Sequence, residues 1–320
     1  MKPVDAASKV DAFLSRFMPL VPISGLVLGV SFPDTFRVIA PYGPWLFGTM
    51  TLSGALKLKA SDIGKAASSP LNFVLYFAVC RILLPLVVLG VSRLVFTGDP
   101  DIVAGFVLVY AVPTAVSSFV WVTIFKGDIA LVLAFILMDT ILAPFLTPFT
   151  VRVFLGTAIS IDIMGMALSL VYMIVIPTII GISLNEFSKG KVPEVINPWL
   201  SPLSKLIMTM VIAGNSALVA HLIRPDNPVI WIIFAVCVCL NIFAFIFGKF
   251  IAKTAKMDDD KQTAFFLATG LRNNSAAMVL GIQFFPPAAV LAPVLGIISQ
   301  HTLAGLIGKF LVRKGKEDEN

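Results

Sequence analysis

Apolar residues run along this chain in stretches of about twenty, and each stretch ends in a short polar or charged cluster. A helix needs about 20 apolar residues to cross the hydrocarbon core of a bilayer. The pattern predicts ten segments, over residues 13–33, 38–57, 70–97, 102–125, 129–155, 160–186, 199–223, 228–252, 262–285 and 287–312. The connections are short and leave no room for a separate soluble domain. Backbone polar groups in lipid must be satisfied internally, so the predicted fold class is an all-α membrane protein over a single domain, 1–320.

One segment breaks the pattern from inside. Phe265 to Gln283 reads FFLATGLRNNSAAMVLGIQ, apolar at both ends with Gly270, Arg272, Asn273, Asn274 and Ser275 in the middle. An arginine at the midplane costs about 2.5–3.5 kcal/mol on insertion scales, so a chain keeps one where it lines a cavity or binds something. The expectation is a broken transmembrane helix at a substrate site. Segment 102–125 holds a comparable interruption, PTAVSS at Pro113 to Ser118. Asp139-Thr140 and His301-Thr302 lie well inside the segments that follow, and Arg81 and Asn241 share the similar contexts VCRI and CLNI. These echoes predict two five-helix repeats of opposite orientation, 11–157 and 158–313, with discontinuous helices 4 and 9 and a charged tail at 314–320. Paired broken helices in an inverted repeat are an architecture of secondary transporters.

Composition agrees: 58% of the 320 residues are hydrophobic and only 13% are charged. The net charge of +6 does not point to nucleic acid, because the basic residues sit between apolar segments. One set of loops plus both termini holds 18 of the 24 basic residues, including Lys2, Lys9, Arg16, Lys57, Lys65, Lys126, Lys205, Lys261, Lys314 and Lys316. The opposite set holds Arg37, Arg93, Arg152 and Arg224. By the positive-inside rule both termini are expected in the cytoplasm. Cys80, Cys237 and Cys239 all lie in apolar runs and read as small buried hydrophobes, not as a disulfide or zinc framework. The apolar run from Phe17 to Phe32 is interrupted by Pro19 and Pro22 and reads as the first helix, not as a signal peptide.

The candidate chemistry lies at the interruptions. A guanidinium at Arg272 offers a fork of donors suited to a carboxylate or sulfonate, with Asn273, Asn274 and Ser275 beside it. The competing reading is that Arg272 forms a structural bridge to Asp139. Asp139 itself either carries a proton or is held ionised by Arg81 or Arg272. His301 is a donor to an anion, a proton exchanger or a helix-to-helix bonder. Ser117, Ser118 and Thr302 are further candidates for a polar lining, as is Asn215 with Ser216, although Asn215 reads rather as helix packing, and His221 reads as interfacial. Pro113, Pro144 and Pro148 mark breaks or kinks. Trp45, Trp121, Trp199 and Trp231 read as interface or packing residues. No HExxH, GxSxG, paired catalytic aspartates or nucleotide-binding motif occurs, so neither an enzyme nor an ATP-driven pump is expected.

Taken together the segments resemble the bile acid:sodium symporter family, over nearly the whole chain. FGTMTLSGALKLKASDI (Phe47 to Ile63) is similar to its second-span motif, VPTAVSSFVWVTIFKGDIAL (Val112 to Leu131) to its fourth-span crossover, and ATGLRNNSAAMVLG and SQHTLAGLIG to its ninth and tenth spans. The resemblance implies a core of spans 3–5 and 8–10 moving against a panel of spans 1, 2, 6 and 7. It also implies two sodium sites, and there the chain departs. The first site's positions become Ser118, Phe119, Val132, Ile136 and Thr269; the second site's glutamine falls on Cys80, and Arg272 precedes the retained amide pair Asn273-Asn274. Phe, Val and Ile supply no side-chain oxygen, and a guanidinium repels a cation. The expectation is therefore no working sodium site and no cofactor, with Arg272 standing in as a tethered cation. Transport would be uniport, exchange or proton coupling through Asp139 or His301. The alternatives are ordinary sodium symport of a bile acid-like or pantoate-like anion, and a non-transporting receptor or anion pore on the same scaffold. The expected partners are a small organic anion and the lipid of a bacterial inner membrane, with the chain as a monomer.

Overall fold

The structure is a computed structural model that describes residues 20–59, 70–156 and 161–317 together with residues 11, 13, 14, 17 and 61, with side chains up to 312. The expected tail at 314–320, the side chains of Lys2, Lys9, Arg16 and Lys65, and the 157/158 boundary between repeats lie outside the described residues or side chains. The described elements are helical: α1 (Leu20–Ser31), α2 (Gly43–Ala55), α3 (Pro70–Val95), α4 (Pro100–Ala111), α5 (Ser118–Ile124), α6 (Ile129–Leu155), α7 (Ile163–Phe187), α8 (Lys191–Leu218), α9 (Pro228–Thr254), α10 (Asp259–Gly270), α11 (Asn274–Phe284) and α12 (Leu291–Glu317).

Six of these helical stretches are long and apolar enough to cross a membrane, and α1 with Pro33–Ala55, bent by 107°, makes a seventh if counted as one span. The ten expected segments are therefore matched only in part. Segments 102–125 and 262–285 each hold two short helices, because Pro113 lacks an N–H and Leu271 leaves the helical region at φ −98°, ψ 94°. Helix starts follow the sequence closely. Asp99, Asp128, Asp162, Asn227 and Asn273 each accept a backbone N–H of the first turn, as capping residues do.

Pro144 and Pro148 do not break α6, which runs through both. By contrast, Val79–Leu83 within α3 and Val171–Val175 within α7 are π-helical, and each precedes a proline, Pro85 or Pro177. A proline ring clashes with the carbonyl four residues earlier, and one wider turn relieves that clash. In α3 the widened turn contains Cys80 and Arg81 and turns both inward, where both are buried.

The helices sort into two groups. In one, α8 packs along α1 and α2, and α7 packs on α2. Contact is close: a Cβ at Gly29 would lie 2.2 Å from the Ala213 carbonyl oxygen. In the other, α3, α6, α9 and α12 pack around the two broken pairs, α4 with α5 and α10 with α11. Here a Cβ at Gly105 would lie 2.2 Å from the Ala289 carbonyl oxygen, so only glycine lets α4 reach that turn.

Candidate functional site

The two breaks meet each other. Thr114 and Arg272 pair as an antiparallel bridge, flanked by hydrogen bonds from Ala115 N to Leu271 O at 2.9 Å and from Asn273 N to Pro113 O at 3.0 Å. Each break thus satisfies part of the backbone that the other exposes, which irregular backbone at membrane depth requires. The Thr114 hydroxyl adds a bond to the carbonyl of Ala268 at 2.7 Å or Leu271 at 2.9 Å, at the end of α10. Gln300 Nε2 donates to the Arg272 carbonyl at 3.0 Å from α12.

Three charged side chains are buried behind this crossing: Arg81, Asp139 and Arg272. Asp139 is fully enclosed and accepts from Arg81 Nη2, from the Tyr76 hydroxyl at 3.0 Å and from Thr114 N at 2.8 Å. Arg272 Nη1 lies 4.0 Å from Asp139 Oδ2, a looser contact. Arg81 is thus the direct partner of Asp139 and Arg272 the more distant one.

The remaining guanidinium donors face backbone. Arg81 Nη1 donates to Ala111 O, which also accepts from the Thr147 hydroxyl at 2.8 Å. Arg272 Nη2 donates to Val112 O and to Tyr110 O, the latter at 3.2 Å. Tyr110, Ala111 and Val112 form the carbonyl end of α4, where the negative end of the helix dipole lies. Two fixed cations therefore occupy the oxygens that the break would otherwise leave unpaired. Arg272 Nε and Nη1 and Arg81 Nε keep no hydrogen-bond partner.

A cavity of about 220 Å³ lies between the two helix groups, against the crossing. Arg272, Asn273, Asn274, Ser275, Ser117 and His301 line it, and they face Phe47 and Thr51 of α2 and Ser204 and Met208 of α8. At its far end stand Lys57, Lys205 and Asp11, with Lys205 in an ion pair to Asp11. Phe119, placed by the resemblance at a sodium position, also lines the cavity.

Two predicted site residues lie elsewhere. Thr302 is on the exposed side of α12, because it follows the inward-facing His301 by a single residue, about 100° round the helix. Ser118 is fully buried outside the cavity lining, its hydroxyl bonded to Ala115 O at 2.7 Å. Val132 and Ile136 are buried and bring no side-chain oxygen, and Cys80 is buried next to Arg81 in the π-helical turn. Cys239, expected to be buried, is exposed, and the Thr269 hydroxyl donates to Phe265 O at 2.8 Å within its own helix. Asn215 and Ser216 are buried near the end of α8 and His221 is exposed beyond it.

Three features were not read from the sequence. Gln300 lines the cavity, and its Nε2 bond to a carbonyl fixes Oε1 as an unpartnered acceptor. Trp121 Nε1 donates to His301 Nδ1 at 3.3 Å, so the free proton of a neutral imidazole sits on Nε2. Tyr76 stacks on Phe135 while bonding Asp139. Only Gln300 carried a signal, as a second amide one residue from His301.

The sodium bile acid symporter family model matches residues 44–224. An uncharacterized protein of Bacillus subtilis, YbaS, is 31% identical over 92% of this chain and 97% of its own length. An uncharacterized sodium-dependent transporter of the same organism, YocS, is 23% identical over 99% of this chain and 97% of its own. The probable sodium/metabolite cotransporter BASS3 of rice chloroplasts (Oryza sativa subsp. japonica) is 27% identical over 96% of this chain and 73% of its own. The chain belongs to the sodium bile acid symporter family. It is an integral membrane protein of a transporter family, not an enzyme, and its cargo is a small molecule.

Proposed function

We propose that the protein is a sodium-independent carrier of small organic anions, carboxylates or sulfonates, working by alternating access. The observation that carries this reading is the pair of guanidinium groups on the carbonyl end of α4. Oxygens that suit a hard cation are taken by Arg81 and Arg272, and Phe119, Val132 and Ile136 add none. Arg272, which lines the cavity and keeps two buried nitrogens without a hydrogen-bond partner, serves as the tethered cation for the substrate. Asn273, Asn274, Ser275, Ser117 and His301 complete the binding site.

The rest of the reading follows the charge pattern and the paired breaks. Ten spans form two inverted repeats, 11–157 and 158–313, with both termini in the cytoplasm of a bacterium and the chain acting as a monomer. The cavity then opens to the cytoplasm, since Lys57 and Lys205 belong to the basic set of loops.

Sodium-coupled symport is the second reading, favoured by the names that YocS and BASS3 carry. Direct binding of sodium-22 to the purified protein, against a choline background, separates the two. The carrier described here shows no saturable sodium binding up to physiological concentrations. Saturable binding would replace it with symport.

A further inference from the structure

The crossing carries more positive charge than its partners cancel. Among the described residues the buried charged side chains are Arg81, Asp139 and Arg272, two cations against one anion. Guanidinium groups stay protonated in proteins. The carboxylate of Asp139 is engaged by Arg81, Tyr76 and Thr114. The carbonyl ends of α4 and α10 and the N–H ends of α5 and α11 meet at the same crossing, so the helix ends contribute partial charges of both signs there. One surplus positive charge remains beside the cavity.

The two helix groups are also joined on the face away from Lys57 and Lys205. The Ser169 hydroxyl of α7 donates to Gln283 Oε1 of α11 at 3.1 Å. Next to it, a Cβ at Gly165 would stand 3.1 Å from the ring of Phe284. These contacts hold α7 against α11 at the end of α7 away from Asn185, which bonds Leu58 O beside Lys57.

We propose that the surplus charge locks the unloaded protein in this conformation, so that it exchanges one anion for another and does not catalyse net uniport. The inference rests on the anion-carrier reading above. Changing sides carries the crossing, with Arg272 on it, past the apolar side chains of the facing helices, of which Phe47, Met50 and Met208 line the cavity. An uncancelled buried guanidinium charge there is disfavoured by roughly 100-fold. A bound monoanion cancels the charge and removes the penalty. The loaded protein moves in both directions, whereas net flux requires the unloaded one to return. Exchange needs no such step.

Distances between spin labels test this without a known substrate. One label replaces Thr97, exposed after α3, and the other replaces Arg224, exposed after α8, in a Cys239→Ser background that leaves only the buried Cys80 and Cys237. In nanodiscs of zwitterionic lipid, in a zwitterionic buffer with no added salt, the unloaded protein gives a single distance. Ser117→Asp places a fixed carboxylate in the cavity, keeps the arginine network intact and gives two distances. Arg272→Met, which removes the surplus directly, gives two as well. Two distances in the parent, or one in Ser117→Asp, would overturn the proposal. Sodium binding decides the carrier reading separately, so a parent with two distances and no sodium binding refutes exchange alone.

Discussion

Thr114 and Arg272, from the two halves of the chain, face each other across the crossing as antiparallel neighbours. Around that pair the structure gathers the backbone bonds of both breaks, the ion pair of Asp139 and one wall of the cavity. Stability and binding are therefore properties of the same few residues, and substitutions there separate into distinct outcomes.

Thr114→Val keeps the shape and removes the hydroxyl that bonds the carbonyl end of α10. Carbonyls left unpaired in the interior cost about 1–3 kcal/mol, and Thr114→Ser avoids most of that. Thermal unfolding of the purified variants in detergent, followed by tryptophan fluorescence, checks the order parent, Ser, Val.

Asp139→Asn leaves two buried guanidinium groups with no carboxylate. Breaking a buried ion pair from one side costs about 3–5 kcal/mol. In a double-mutant cycle with Arg81→Met, the double variant loses less stability than the two single losses added together. Strict additivity would mean that the contact between Arg81 and Asp139 contributes nothing.

Gly105→Ala drives a methyl group into the Ala289 carbonyl, which is backbone and cannot swing aside. The expected result is a sharply reduced folded yield. Gly90 lies in α3, and a methyl group added there would meet no atom within 4 Å, so Gly90→Ala is neutral or raises stability by about 0.5–1 kcal/mol. Equal behaviour of the two variants on size-exclusion chromatography would contradict the packing of α4 against the turn at Ala289.

Much of this was legible in the sequence. The apolar stretches and the interruptions at Pro113 and Arg272 are local signals, and the structure has helices and breaks at those places. Partners across the fold were not legible. Which arginine takes Asp139 depends on the π-helical turn before Pro85, and that turn depends on packing that periodicity does not encode. The same limit explains Thr302: adjacency to His301 suggested a shared site, but neighbours on a helix point to different sides. The bond between Trp121 and His301 joins residues far apart in the chain and leaves no local trace.

His301 and Thr302 offer a matched pair for binding. Loss of a hydrogen bond to a charged ligand lowers affinity by about tenfold to a hundredfold, and this is expected for His301→Ala. Thr302→Val, on the exposed side of α12, leaves affinity unchanged. Titration of each variant with the anion that most stabilises the parent checks the contrast.

The most direct test of the tethered cation is thermal stability of the purified protein across a panel of small carboxylates and sulfonates. Each anion is measured in sodium and in potassium, with the parent and with Arg272→Met. The account predicts that an anion raising the melting temperature does so equally in both salts, and that Arg272→Met abolishes the shift. Stabilisation that requires sodium, or that survives Arg272→Met, would contradict it.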